Sequence, residues 1–275
     1  RDEMLIIIFG IWDYIKIYSD RKKEAENYYL DWVSFLPAKR ESRRIKGDYV
    51  LNENDILENR MFDDAVAYGG WHLDSHRPEG FYAFINKTPQ REDKAVMFDG
   101  IYTIPYRCIY SKDIENLFLG GRIISVSHRA FSSTRVMATC AAAAQAAGIA
   151  AAMAVKKGIN PREVDAKALQ QSLLKDGCYL PNVKNTDKND IALNATVSCS
   201  SFEKGFECEN VINGVSRPVG ELSNMWACKT EDKNPWIMLS FDKPRKVKET
   251  VITFDSNLSV EIMISLSKWH HVRQN

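Results

Sequence analysis

Between Leu117 and Gly148 the chain reads "LFLGGRIISVSHRAFSSTRVMATCAAAAQAAG". An apolar run ends in two glycines and an arginine, a loop dense in hydroxyls follows, and both lead into a stretch made mostly of alanine. No other part of the sequence limits the fold as tightly. Alanine and glycine keep a helix thin, so whatever packs beside it comes close to its backbone. The pattern predicts a helix from about Ser133 to Lys157, stopped by Gly158, with Lys156 and Lys157 suiting the negative end of its dipole. Either a tight helix pair or burial against a sheet would account for so small a helix. The loop before it adds chemistry. Gly120 and Gly121 let a ligand or a neighbouring chain approach the main chain, and Arg122 suits phosphate. Ser125, Ser127, Ser132, Ser133 and Thr134 precede a helix start whose N–H groups favour an anion or an electron-rich carbonyl. Together these parts make a cofactor cradle.

The 275 residues leave room for two domains, or for one large domain with an appendage. Their 37 basic and 36 acidic side chains give a net charge of +1, which supplies no electrostatic reason to expect nucleic acid or an anionic membrane as a partner. The apolar run "MLIIIFGIW" is too short to span a bilayer. A chain that opens on Arg1 and closes on "SLSKWHHVRQN" reads as the interior of a longer protein. None of the six cysteines stands in a Cys-x-x-Cys or Cys/His metal spacing, so no metal site is expected. Cys199, Cys208 and Cys228 cluster in the last third, where one disulfide or a thiol-rich core would fit.

Along the chain, "IWDYIKIYSDRKKEAENYY" mixes aromatics and charges at helical spacing, and "NENDILENR" carries Asn or Asp able to cap a new helix. "GIYTIPYRCIYS" is β-rich with Pro105 marking an edge or a bend. "NPREVDAKALQQSLLKDG" supplies a further short helix, and "LPNVKNTDKNDIALN" is the linker. Beyond Ala195, "ATVSCSSF", "WACKT", "PWIMLSF", "KVKETVITFD" and "SVEIMISLS" predict short antiparallel strands of a sandwich. In "GGWHLDSHRPEG", Trp71, His72, Asp74 and His76 stand close together. This is either a surface loop with neighbouring histidines or a polar site in which His76 moves a proton and Asp74 orients it. No Ser/His/Asp triad or phosphate-binding Walker loop is present.

As an ordered set, "GIWDYIK", "LPAKRESRRIKGDYVLNENDI", "GGWHLDSH", "YTIPYRCIYSKDIENLFL" and "NLFLGGRIISVSHRAFSSTRVMATCAAAAQAAGIAAAMAVKKGINPREVD" resemble the FAD-dependent oxidoreductase family common in bacteria that degrade sugars, over about residues 10 to 180. That family belongs to the group built on the glutathione-reductase-like plan of two dinucleotide folds. The resemblance implies FAD as cofactor. It puts Gly121 and Arg122 near the ribityl-phosphate part, Ser133, Thr134 and Arg135 near the flavin O2 and N1 edge, and Ser127 and His128 in the cofactor loop, where His128 either covers the flavin or caps the turn. It puts "GGWHLDSH" on the substrate side, with His76 as proton donor or acceptor beside N5 and Asp74 as its orienting group. It also brings Arg40, Arg43 and Arg44 toward cofactor and substrate, Arg43 being a candidate to stabilise an anionic flavin or substrate, with a solvated charge cluster the competing reading.

One family element is missing: no strand leads into Gly-x-Gly-x-x-Gly with an acidic residue about twenty positions later. The expectation is therefore the C-terminal portion of a longer flavoenzyme. The last third resembles a discoidin or coagulation-factor type galactose-binding sandwich through "ENVINGVSRP", "NMWAC", "NPWIMLSFDKP" and "KVKETVITFD", in which Arg217, Trp226 and Trp236 would meet sugar or serve structure.

The expected fold is thus α/β, a partial Rossmann-like FAD/NAD(P)-binding fold with an α+β substrate region, followed by an antiparallel β-sandwich. Residues 1–110 form the substrate or cap region, 111–185 the C-terminal part of the FAD-binding domain, and 192–275 the discoidin-like module. The expected activity is hydride transfer from a small molecule, such as a carbohydrate derivative, to flavin N5, in an extracytoplasmic setting suggested by family habit. The alternative is a carbohydrate-binding or interaction module without redox activity of its own.

Overall fold

The computed structural model describes residues 1–36, 41, 43–76, 79–86, 95–217 and 224–255. Arg40 and the segment "SVEIMISLS" lie outside them. The chain divides into two compact units, Arg1–Arg43 and Arg44–Asn275.

In the first unit, helix α1 (Asp2–Asp13) carries Asp2 and Glu3 in its first turn, where the dipole favours acidic side chains, and runs on into a π-helical turn at Tyr14–Tyr18. Helical spacing in "IWDYIKIY" thus does give helix, but the chain leaves it at Ser19. Lys16 fixes the next segment: its Nζ donates to the carbonyls of Ala25, Glu26 and Tyr28 at 2.8, 2.8 and 2.9 Å. An ammonium group has three protons, and each finds a carbonyl.

The second unit begins with extended chain and a short helix α2 (Glu53–Leu57). Asn52 and Asp55 form a reciprocal capping box there, the device expected of "NENDILENR". Strands β1 (Ala65–Gly69) and β2 (Tyr102–Pro105) pair antiparallel, with Tyr68 opposite Thr103 and Gly69 opposite Tyr102. Pro105 ends its strand, since it lacks the N–H another pairing would need. Between the two strands lies the single-turn helix α3 (Tyr82–Ile85). Gly69 is required by the pairing: a Cβ there would run into the Tyr102 ring and hydroxyl. Around this sheet, segments near residues 45–51, 107–110 and 119–127 run side by side. Leu51 N–H donates to Ser125 O at 3.1 Å, Ser127 N–H to Leu51 O at 2.8 Å and Ser125 N–H to Cys108 O at 2.9 Å. Leu51 and Val126 form a parallel bridge.

Helix α4 (His128–Thr134) is short, and α5 (Met137–Lys157) lies against β1. The expected single helix from Ser133 is therefore two helices, because Val136 adopts extended dihedrals and restarts the chain at Met137. Its end is as expected: Gly158 sits in the left-handed conformation at φ 64°, after Lys156 and Lys157. Ala143, Ala146, Ala147, Ala150 and Ala154 form its buried face, and Ala144 faces Gly120. The alanines thus serve close packing against a sheet, one of the two arrangements anticipated. By length and composition α5 is apolar enough to cross a membrane, yet this buried face belongs to the core shared with β1 and with α6 (Ala166–Lys175). In α6 the buried Gln170 amide donates to the carbonyls of Asp63 and Ala65, both at 2.9 Å.

Toward the end, β3 (Thr196–Cys199) and β4 (Ile237–Ser240) pair antiparallel, Cys199 opposite Ile237. Two of the anticipated strands are thus present. "WACKT" and "KVKETVITFD" carry no strand among the described residues, which hold this one two-stranded part of the expected sandwich.

Candidate functional site

The polar loop after β1 and the end of α4 meet through two hydrogen-bonded chains. The Ser133 hydroxyl donates to the main-chain carbonyl of Trp71, and its Oγ lies 2.7 Å from Tyr102 Oη. A carbonyl only accepts, so the single Ser133 proton goes to Trp71 and Tyr102 must donate to Ser133. Both residues are fully buried, and burial pushes the Tyr102 phenol well above its ordinary value, keeping it a donor. This chain fixes the backbone at Trp71, whose indole packs on the His72 ring with centroids 4.5 Å apart.

Three residues on, Asp74 receives Arg135. The guanidinium Nη2 donates to the Asp74 carbonyl at 3.0 Å and to its Oδ2 at 2.9 Å, and the Arg135 side chain is only 12% exposed. The same Oδ2 lies 3.3 Å from His76 Nε2, while the His76 ring is 60% exposed. A hydrogen bond between that carboxylate and Nε2 sets the direction in which the imidazole faces. Arg135 sits where α4 ends, so the helix end positions the cation that positions the carboxylate that aims the imidazole. Leu73, paired with Val96 through N–H to O bonds of 3.1 and 3.0 Å, ties the loop down between these contacts.

The second group lies around the start of α5. Val136 gives that helix no side-chain cap, so its first N–H groups find no side-chain acceptor there, and Met137 is 89% exposed. Gly121 opens a 3₁₀ turn (Gly121–Ile123) at φ 68° with open space where a Cβ would stand. Arg122 is exposed and acts on Cys140 in the first turns of α5: burial pushes that thiol up, and the Arg122 charge pulls it back. Donor N–H groups, a guanidinium and an uncrowded glycine suit an electron-rich or phosphate-bearing group, and FAD has both. The residues present therefore fit the cofactor that the sequence resemblance implies.

Asp74, His76, Ser133 and Arg135 are thus brought together, and Gly121 and Arg122 flank the α5 start. Thr134 is buried at the end of α4, its carbonyl accepting from Cys140 Sγ at 3.4 Å. Ser127 caps α4 by accepting from Ala130 N–H at 3.1 Å and donates to Glu53 Oε2 at 3.1 Å. His128 is the exposed first residue of α4, at the end opposite Arg135. Ser125 is buried between neighbouring segments. Arg43 is exposed at the end of the first unit, and Arg44 stacks over Phe131, 5.8 Å from the ring centroid. In the last third, the Trp226 indole N–H donates to Ser201 O at 3.0 Å, while Trp236 is 49% exposed. Tyr102 is a site residue that the sequence alone does not reveal. Its only signal there is a tyrosine on a short β-rich segment some thirty residues after a glycine pair.

A family model described as FAD dependent oxidoreductase matches residues 1–173. No curated protein and no solved structure matches the chain.

Proposed function

The chain belongs to the FAD dependent oxidoreductase family, which binds FAD, and from that premise we propose that it oxidises a small organic substrate, a carbohydrate derivative being the class we favour. Bound FAD supplies the hydride acceptor. Gly121, Arg122 and the first N–H groups of α5 hold the cofactor's electron-rich and phosphate-bearing parts. Ser133 and Tyr102 fix the Trp71 main chain beside the substrate. His76 takes the substrate's proton, and Asp74 orients its ring. Arg135 keeps Asp74 in place. Ser127 and His128 border the cofactor through the α4 start, and Thr134 through its end. The observation that carries the reading is the Arg135–Asp74–His76 chain, in which a 12% exposed cation is committed to a carboxylate that in turn meets an exposed imidazole. The module beyond the linker serves docking or structure in this reading.

The purified protein incubated with FAD and freed of excess should retain flavin absorbance, and anaerobic addition of a panel of reducing sugars and sugar alcohols should bleach it. A protein that retains no FAD overturns the proposal; retention with no bleaching by any sugar overturns the carbohydrate class.

A further inference from the structure

The linker segment ends on Asn194, which opens the triplet Asn194-Ala195-Thr196. An asparagine followed two residues later by threonine, with no proline between, is the pattern that N-glycosyltransferases read. The fold holds this triplet at the surface. Asp190 caps the 3₁₀ turn Ile191–Asn194 by accepting from Ala192 N–H at 3.2 Å, so Asn194 is the last residue of a fixed turn. Ala195 is extended, at φ −84° and ψ 156°, and Thr196 opens β3 opposite Ser240. Asn194 and Thr196 are both exposed. The linker's other asparagine amides in this stretch are committed: Asn185 Nδ2 donates to Asp190 Oδ2 at 2.7 Å, and Asn189 Nδ2 to Asp187 Oδ1 at 2.9 Å. Among the described residues no hydrogen bond engages the Asn194 carboxamide or the Thr196 hydroxyl.

We propose that Asn194 is an acceptor for N-linked glycosylation, taking its sugar from a donor activated as a diphosphate at C1. The bond from Asn194 Nδ2 to the sugar C1 forms while the bond from C1 to the diphosphate oxygen breaks. One Nδ2 proton passes to a base on the transferase, and the diphosphate leaves with the electron pair, so no oxidant or reductant is needed. Thr196 is the residue through which the transferase recognises the triplet, and both side chains are within its reach without unfolding β3. Because the Asn194 amide has no partner to give up among the described residues, its modification breaks none of their hydrogen bonds. A bulky, solvated group at this position stands where the linker meets β3 and leaves the strand pairing intact. The triplets at Asn86 and Asn257 match in sequence but run into residues outside those described. The proposal is independent of the flavin reading.

Two arms separate the two sources of such a donor. In one, the purified, folded full chain is incubated with UDP-glucose and a soluble transferase specific for Asn-x-Ser/Thr, beside a control peptide that the same enzyme modifies. In the other, the full chain is secreted from a eukaryotic host, whose donor is a lipid-linked diphosphate sugar, and is then treated with a peptide-N-glycosidase that converts each glycosylated asparagine to aspartate. Peptide mass spectrometry should find a hexose on Asn194 in the first arm, or aspartate at position 194 in the second, and the arm that responds identifies the donor. Thr196→Ala should abolish the modification, Thr196→Ser should retain it, and both variants should keep the wild-type thermal midpoint. An Asn194 peptide unmodified in both arms overturns the proposal, as does modification that survives Thr196→Ala.

Discussion

Asp74 has one carboxylate and two suitors, and its position comes from both. Arg135 is nearly buried and holds the carboxylate from the protein side, while His76 meets it from the solvent side. The neighbouring hydroxyl chain is equally one-directional, Tyr102 to Ser133 to the Trp71 carbonyl. Removing its first donor in Tyr102→Phe should lower stability by about 1 kcal/mol. Gly69→Ala should cost more, about 1–3 kcal/mol, since the new methyl group displaces the whole Tyr102 ring. Midpoints of urea unfolding rank the two. Farther from the site, Asp48 accepts from Arg162 Nε and Nη2, both at 2.7 Å, and from the Tyr110 hydroxyl at 2.8 Å. The Arg162 hydrogen bond holds the Asp48 carboxyl below its ordinary value of 3.8, with burial opposing. A carboxyl with a lower pKa folded than unfolded stabilises the fold above the unfolded value and loses that contribution as pH falls through the folded one. The stability gap between the wild type and Asp48→Asn should therefore be full at pH 7 and shrink toward pH 3, as urea unfolding at both pH values would show. A gap unchanged with pH would contradict the pairing.

At the scale of elements, the alanine helix sorts its residues by face. Ala150 is fully buried in the core shared with β1, whereas Ala152 is exposed. Ala150→Leu should destabilise by about 1–3 kcal/mol through overpacking, and Ala152→Leu should stay within about 0.5 kcal/mol of the wild type. Equal midpoints for the two variants would contradict the placement of that face. Much of this element is legible in the sequence, because Gly158, the two lysines before it and the alanine run are local signals with local causes. The break at Val136 is not. Beside it Arg135 reaches Asp74, sixty-one residues earlier in the chain, and no window of local sequence contains that contact. The same holds for Tyr102, whose importance depends on Gly69 and Ser133. The last third shows the converse: β3 and β4 form where β-branched and apolar residues cluster, but equally β-like text at "KVKETVITFD" carries no strand among the described residues. A strand needs a partner as well as a pattern.

At the scale of the molecule, the family match covers residues 1–173 and so includes every proposed cofactor and substrate residue. The residues beyond carry a small two-stranded sheet. Function in this account is concentrated where two sequence-distant pieces lie: the loop after β1, and the junction between the end of α4 and the start of α5. The central claim is that His76 moves the proton while the α5 start holds the cofactor. The most direct test is the rate of flavin reduction by saturating substrate in His76→Gln, measured anaerobically by stopped flow beside the wild type. We expect full retention of FAD with a rate lower by about 100-fold or more. Wild-type rates in a variant that retains FAD would contradict the account.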